Sequence, residues 1–140
     1  MSDDPAALDV LGVDNILLAV GDLEVALGFY RDRLGLPVKF QLPVIGIACF
    51  RLGPEEPGLI VRAGAVHERS ARETPRVWLE VRDARAAAVE LVHRGVTPLN
   101  EAFEVATGWA VEVADPWGNV IGLTDYTKDP SRARPVRTAG

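Results

Sequence analysis

The side chains best suited to chemistry lie on two stretches that read as β-strands. In residues 76–82 the polar or aromatic residues Arg76, Trp78 and Glu80 alternate with apolar ones, and Glu112 lies in the apolar stretch 109–114. Every second residue of a strand faces the same side, so a guanidinium, an indole and a carboxylate share one face. Such a set can bind a planar or charged ligand. A carboxylate in a partly apolar pocket can also have its pKa raised far enough to act as a general base.

The other reactive side chains give weaker signals. Cys49 is the only cysteine, which excludes an intramolecular disulfide and a zinc site built from cysteine clusters, so we interpret it as a small buried residue. His67 lies in a polar stretch, and His93 lies outside the apolar stripe of a predicted helix. Neither histidine has an identifiable ligand partner, so both are interpreted as solvated or capping residues.

The strands belong to a unit that occurs twice. Residues 14–36 and 77–96 both run from an apolar strand through an aspartate to an amphipathic helix and a glycine stop, and Asp83 follows Asp22 by 61 residues. The spacing predicts strands at 13–20, 37–42, 44–52 and 58–63 in the first half, and at 76–82, 97–105, 109–114 and 119–125 in the second. Each half is therefore βαβββ, with helices at 23–34 and 84–94 that begin at an aspartate cap. The first apolar stripe consists of Leu23, Ala26, Leu27, Tyr30 and Leu34.

These elements predict one α+β domain over residues 13–126. It consists of a first module (13–63), a linker (64–75) and a second module (76–126), preceded by an N-terminal arm (1–12). Residues 127–140 form a basic tail that lacks a core-forming pattern, and we interpret this tail as flexible. A length of 140 residues with 48% hydrophobic residues fits a single globular domain.

The charge distribution limits the classes of partner. The net charge is −5, and because the tail carries +3, the rest of the chain carries −8. An acidic body argues against nucleic acid binding. No apolar run approaches the roughly 18 to 20 residues of a membrane span, and the acidic N-terminus is unlike a signal peptide. We expect a cytoplasmic protein that binds neither nucleic acid nor membrane.

Two motifs resemble the vicinal oxygen chelate superfamily, which includes glyoxalase I, extradiol dioxygenases and bleomycin-resistance proteins. The first is V-x-D-L-x-x-A-L-x-F-Y-R-D-x-L-G-L over residues 20–36, and the second is D-P-W-G-N-V-I over residues 115–121. The resemblance implies two tandem βαβββ modules whose mixed sheets curl into a cup, with helices on the outer face. It also implies a homodimer and a divalent metal held inside the cup.

The positions that would hold this metal carry unsuitable residues. Matched by motif, they fall on Asn15, Arg76, Gly122 and either Ile60 or Arg62. A divalent ion needs three or four imidazole or carboxylate ligands, and the guanidinium of Arg76 is always protonated. We therefore expect no metal and no cofactor, and neither glyoxalase I nor dioxygenase activity.

The predicted ligand site follows from strand alternation inside the cup implied by the resemblance. The side chains that share the cup face are those of Asn15, Leu17, Cys49, Arg51, Ile60, Arg62, Arg76, Trp78, Glu80, Glu112 and Gly122. The opposite face is almost purely apolar and predicts a core against the helices. Gly122 leaves room for a bulky group where the family has a carboxylate, and Trp117 is interpreted as a rim or packing residue.

Three functions fit these residues. The first is a metal-free binding protein of the bleomycin-resistance type, a homodimer that sequesters a drug or natural product. The alternative is a metal-independent lyase or isomerase that uses Glu80 or Glu112 as general base. The third is a scaffold or regulatory subunit whose cup is filled by its own side chains.

Overall fold

The structure is a computed structural model that describes residues 13–54, 57–65 and 75–135. The predicted N-terminal arm, most of the linker with His67, and the end of the tail lie outside these residues. The first module contains β1 (Asn15–Val20), α1 (Leu23–Leu27) with a π-helical continuation (Gly28–Arg33), β2 (Val38–Leu42), a 3-10 turn (Pro43–Ile45), β3 (Ile47–Arg51) and β4 (Gly58–Ala63). The second contains β5 (Arg76–Glu80), α2 (Ala84–His93), β6 (Phe103–Val105), β7 (Gly108–Ala114), β8 (Val120–Thr124) and a final 3-10 turn (Pro130–Arg132).

Each module folds into a four-stranded mixed sheet with the same plan. The strand orders are β1-β4-β3-β2 and β5-β8-β7-β6, with β1 parallel to β4, β5 parallel to β8 and the other neighbours antiparallel. This confirms the predicted α+β fold of two tandem βαβββ modules. The sheets remain separate, so β1 and β5 each have one edge that is unpaired within the described residues.

The helices cover one face of each sheet, and the core lies between them. Val20, Val111, Val113 and Ile121 are fully buried there, and Leu18, Val77, Leu79, Val81 and Leu123 belong to the same cluster or pack against it. The alternation predicted for this apolar face is therefore confirmed. One continuous core spans both modules, which fixes the orientation of the opposite faces. No helix in the described part of the chain is long and apolar enough to cross a membrane.

The two helices begin in the same way. The Asp22 carboxylate accepts a hydrogen bond from the Val25 N–H at 2.9 Å, and the Asp83 carboxylate accepts one from the Ala86 N–H at 3.0 Å. Each bond satisfies one of the free N–H groups of a first helical turn. The predicted aspartate caps are confirmed.

The first helix departs from the regular α-helix that the sequence predicts. Beyond α1 the backbone makes π-type turns, and the Leu34 N–H donates to the carbonyl of Phe29, five residues earlier, at 2.9 Å. The wider turn places the adjacent residues Phe29 and Tyr30 both in the core. A regular helix rotates successive residues by about 100°, and for this reason the predicted stripe included Tyr30 and omitted Phe29.

Two predicted strands are shortened most in the structure. The first of them, predicted at 44–52, begins only at Ile47, because Pro43–Ile45 forms a 3-10 turn that ends at Gly46 in the left-handed region (φ 71°). The second, predicted at 97–105, is reduced to Phe103–Val105. The segment before it is held to β7 by one backbone bond of 2.8 Å, from the Leu99 N–H to the Glu112 carbonyl.

The turn at residues 115–119 joins the two modules. The Tyr30 hydroxyl donates to the buried Asp115 carboxylate at 2.7 Å, and the Asn119 amide donates to the Ala19 carbonyl at 2.8 Å. The Trp117 indole lies against Gly21, where an added Cβ would come within 2.3 Å of Nε1. Burial, together with the neighbouring Asp115 carboxylate, raises the pKa of Tyr30. Trp117 is thus a packing residue.

Asp125 holds the second module together from inside. Its buried carboxylate accepts hydrogen bonds from the backbone N–H groups of Ala84 (2.6 Å), Trp109 (2.9 Å) and Thr127 (3.2 Å), and from the Thr127 hydroxyl (2.8 Å). Desolvation by burial raises the pKa of this carboxyl group, but the hydrogen bonds outweigh it, so the pKa of Asp125 is lowered. The start of α2, strand β7 and the beginning of the tail are all attached to this one side chain.

Candidate functional site

Each sheet has a face that no helix covers, which we call the open face. Large apolar side chains are exposed on it, namely those of Leu17, Phe40, Leu42, Trp78 and Phe103. Clusters of exposed apolar residues mark ligand or partner sites more often than ordinary surface. The residues predicted for the ligand site lie on strands of this face, and the strand register decides which of them come together.

Trp78 and Gly122 form the centre of the open face of the second module. They are register partners on the parallel strands β5 and β8, and the indole lies directly over the glycine. A Cβ added at Gly122 would lie 2.2 Å from Trp78 Cε3, so any larger residue would displace the ring. The space expected at Gly122 is therefore occupied by Trp78, whose side chain remains 45% exposed. The ring is supported from below and accessible from above.

Arg76 and Glu112 form an ion pair beside this ring. Arg76 Nε contacts Glu112 Oε2, and Asn100 Nδ2 donates to Glu112 Oε1 at 3.2 Å. The Glu112 side chain is only 12% exposed. Both carboxylate oxygens therefore have a donor. Asn100 was not predicted as a site residue, because the predicted strand 97–105 begins only at Phe103 and Asn100 lies outside regular secondary structure.

Glu80 is also engaged, by the chain's own tail. The backbone N–H and the guanidinium of Arg134 donate to its two oxygens at 2.9 Å and 2.7 Å. This contact, together with the final 3-10 turn, holds residues 127–135 along the domain, where the sequence predicted a flexible tail. Residues 127–135 are attached through hydrogen bonds to the Glu80 carboxylate, and such an attachment does not require an apolar pattern in their sequence.

The predicted ligand residues of the first module make fewer contacts with one another. Asn15 accepts a hydrogen bond from the Gly58 N–H at 3.3 Å and donates one to Asp14 at 3.1 Å. Arg51 and Arg62 are exposed at opposite ends of the β3–β4 pair, because Arg51 is the register partner of Gly58 and Arg62 that of Ile47. The structure therefore does not bring these two arginines together.

Cys49 is a predicted ligand residue that is buried in the structure, as Gly122 is beneath Trp78. Its side chain is fully buried, and its cross-strand partners are Phe40 and Ile60. A Cβ placed on Gly58 would lie 2.7 Å from Cys49 Sγ, so the thiol is packed against that backbone. Its interpretation as a small buried residue is confirmed, and this burial leaves the thiol without accessible surface for a ligand.

Two cavities adjoin the predicted residues. The smaller, with a volume of about 520 Å³, lies between the unpaired edges of β1 and β5, and Leu17, Ala19, Arg76 and Trp78 line it. We call it the edge groove. The larger, of about 910 Å³, lies on the helix side of β5, between the ends of the two helices and residues 126–135. This junction cavity shares only Trp78 and Glu80 with the predicted ligand residues.

The residues at the expected metal positions do not fit a divalent cation. The amide of Asn15 is engaged by Asp14 and Gly58, the guanidinium of Arg76 is a cation paired with Glu112, and Trp78 covers Gly122. Within residues 13–54, 57–65 and 75–135 no group of three histidine, cysteine or acidic side chains could hold a metal. His93, at the end of α2, has no such neighbours among them.

Comparisons with known proteins agree with this architecture. A family model described as the Glyoxalase/Bleomycin resistance protein/Dioxygenase superfamily matches residues 12–123. A protein of that superfamily from Sphaerobacter thermophilus is 24% identical, with a TM-score of 0.68 over 84% of this chain and 99% of that one. A glyoxalase/bleomycin resistance protein/dioxygenase from Nocardioides is 18% identical, with a TM-score of 0.71 over 96% and 94%.

A further structural relative is described as an enzyme. Lactoylglutathione lyase from Agrobacterium tumefaciens is 21% identical, with a TM-score of 0.59 over 83% of this chain and 94% of that one. Identities this low support a shared fold and leave the activity open. No curated protein matches the sequence at a significant level.

Proposed function

The chain belongs to the glyoxalase/bleomycin resistance protein/dioxygenase superfamily, and we propose that it is a metal-free binding protein of the bleomycin-resistance type. Its ligand would be a drug or natural product with a planar, largely apolar part, which is sequestered on the open face. Resistance to such a compound would follow from sequestration alone.

The single observation that carries this proposal is the placement of Trp78. The indole lies over Gly122, the residue that the resemblance matches to a metal-binding carboxylate of the family, and a glycine leaves room for the ring there. One side of the ring is supported by the β8 backbone, and the other is accessible. A flat, pre-positioned indole can stack on an aromatic ligand with little loss of side-chain entropy.

The charges around the ring support a role in binding. Arg76, Glu112 and Asn100 form a closed set of contacts, so the polar rim of the site is fixed before a ligand arrives. Fixed polar groups beside an apolar surface are typical of small-molecule sites, where they determine orientation. Leu17, across the edge groove, supplies a further apolar contact.

The alternative of a lyase or isomerase receives less support. A general base must be within reach of a substrate proton, whereas Glu112 is bound by Arg76 and Asn100, and Glu80 is bound twice by Arg134. Each carboxylate would have to give up a donor first. Turnover that disappears in Glu112→Gln or in Glu80→Gln would favour the enzyme, and turnover that persists in both variants would exclude these two bases.

The test of binding is a titration of tryptophan fluorescence with a panel of planar aromatic and glycopeptide-like antibiotics. Trp78→Ala should weaken binding of any hit by about 10-fold or more, since it removes the stacking surface. Trp109→Phe is the matched control, because Trp109 lies under Arg85 at 4.2 Å, away from the open face. A panel without any fluorescence change or thermal shift would contradict the proposal.

We further propose that the protein is a homodimer that uses the edge groove. Unpaired strand edges readily pair with another chain, and β1 and β5 each present one beside the exposed side chain of Leu17. Leu17→Lys should then lower the mass measured by light scattering from dimer to monomer. A monomeric wild type at all concentrations would contradict this.

A cytoplasmic location stays a prediction from the sequence.

A further inference from the structure

The junction cavity is a second site, on the helix side of β5, and it shares only Trp78 and Glu80 with the residues predicted for the open face. Its volume of about 910 Å³ lies within the range of about 300–1,000 Å³ that small-molecule sites occupy. We propose that it binds a small amphipathic anion, with a carboxylate as head group and an aliphatic chain as body. This assignment does not depend on the ligand proposed for the open face.

The floor of the cavity is aliphatic. Both modules contribute to it, through Leu34, Leu36, Val77, Leu79, Leu91 and Leu123. All six belong to the core cluster or pack against it, so they form a fixed surface. These six side chains are aliphatic, and a flexible alkyl chain fits along them, while Trp78 and Tyr126 line other parts of the cavity. Each methylene group that leaves water should strengthen binding by about fourfold.

The rim of the cavity carries more positive than negative charge. Four arginines and two glutamates line it, in a protein whose net charge is −5. Arg94 is paired with Glu90 at 2.9 Å, and Arg134 is paired with Glu80 at 2.7 Å. The other two arginines of the rim do not take part in these two ion pairs.

Arg33 and Arg82 are those two residues. Neither guanidinium has a hydrogen-bond or ion-pair partner in the described part of the chain, although the Arg33 carbonyl accepts a hydrogen bond from Arg94 Nη1 at 3.2 Å. By contrast, the guanidinium of Arg31, on the same helix as Arg33, is paired with Asp32. A Cβ placed on Gly95 would lie 3.9 Å from Arg33 Nε, which locates this side chain between the ends of the two helices, where the cavity opens. The Arg33 guanidinium, near the C-terminal end of α2, can bind a carboxylate whose alkyl chain lies along the apolar floor. Arg82, which precedes the N-cap of this ten-residue helix, lies about 15 Å away at its other end and adds positive charge there.

Isothermal titration calorimetry with decanoate tests this assignment. Decanol, with a neutral head group, and decyltrimethylammonium, with a cationic one, serve as comparison probes of equal chain length. The two charged probes are used below their critical micelle concentrations, and decanol is used below its solubility limit. We expect saturable binding of one decanoate per chain, with at least about 10-fold weaker binding of the other two probes.

The variants locate the site. Arg33→Gln combined with Arg82→Gln should weaken decanoate binding by about 10-fold or more and should leave the affinity for decanol unchanged. Arg31→Gln is the matched control and should bind decanoate like the wild type, because Arg31 does not line the cavity. Unchanged thermal unfolding would show that both variants are folded.

Three results would overturn the assignment. The first is equal affinity for the three head groups, and the second is unchanged decanoate binding in the double variant. The third is the absence of saturable decanoate binding to the full chain, which would indicate that the cavity is covered by other protein surface.

Discussion

The two modules share one backbone plan and differ in where they hold polar groups. Both have the same strand order and an aspartate cap on the helix. Within the described residues, however, the three buried polar side chains, Asp115, Asn119 and Asp125, all belong to the second module. The core of the first module is apolar, and its helix adopts π turns to bury Phe29 and Tyr30.

The open faces differ in the same direction. In the second module Arg76, Glu112 and Asn100 are connected around Trp78, whereas in the first Arg51 and Arg62 lie apart and exposed. The first module therefore contributes mainly apolar packing, and the second module contributes the connected polar side chains. Ligand chemistry and pH-sensitive stability should therefore both depend mainly on the second module.

The largest effect on this comparison should come from Asp125→Asn. The amide turns one of two acceptor oxygens into a donor that faces backbone N–H groups, so buried donors lose their partner. We expect the free energy of unfolding to fall by about 3 kcal/mol in urea denaturation. Asp32→Asn, at an exposed ion pair, is the control and should cost less than about 1 kcal/mol. Equal costs would show that the second module is not organised around Asp125.

Tyr30→Phe tests the link between the modules. It removes the hydroxyl that donates to Asp115 at 2.7 Å and leaves a buried carboxylate with one donor fewer. The expected loss is about 1.5 to 2 kcal/mol in the same denaturation experiment. Tyr126→Phe is the control, because it removes the hydroxyl of a tyrosine that follows β8 and is only partly buried. Similar values for the two variants would mean that the Tyr30 hydroxyl does not hold the modules together.

Protonation of Asp125 in acid should lower the free energy of unfolding, and by less than Asp125→Asn lowers it. The pKa of Asp125 is lower in the folded state than its ordinary value of about 3.9. The ionised carboxylate therefore contributes its full stabilisation above that value, and the contribution is lost as the pH falls through the lower folded-state pKa. In urea denaturation below about pH 4, the stability gap between wild type and Asp125→Asn should narrow. A gap that stays constant down to about pH 2 would contradict the assignment.

The smallest effect should come from Arg134→Ala. The guanidinium is largely exposed, and the backbone N–H of residue 134 keeps its bond to Glu80. Exposed ion pairs contribute about 0 to 1 kcal/mol, so the urea midpoint should change little. A loss above about 2 kcal/mol would show that the tail is part of the core structure of the second module.

Local sequence patterns predicted much of the fold, because they act over a few residues. The aspartate caps depend on a partner three residues away, and the alternation of Val111 and Val113 follows from strand geometry alone. The π segment escaped prediction because the burial of Phe29 beside Tyr30 is decided by tertiary packing.

The sequence predicted which residues of the site share a face of the sheet, but it did not predict which side chains contact each other. Alternation placed Arg76, Trp78, Glu112 and Gly122 on one face, which their register and contacts bear out. Two pairings depend on positions far apart in the chain, Glu80 with Arg134 and Trp78 with Gly122. The spacing of residues carries no signal for either, because one depends on the path of the tail and the other on a side-chain rotamer.

The most direct test of the Trp78 platform is ligand binding to Gly122→Ala. The added methyl group would lie 2.2 Å from the indole, so the ring must leave its position, whereas Gly64→Ala adds a methyl group with nothing within 4 Å. For a ligand found by fluorescence titration, binding to Gly122→Ala should be at least about 10-fold weaker, and binding to Gly64→Ala should be unchanged. Wild-type affinity in Gly122→Ala would contradict the claim that Trp78, held over Gly122, is the ligand-binding surface.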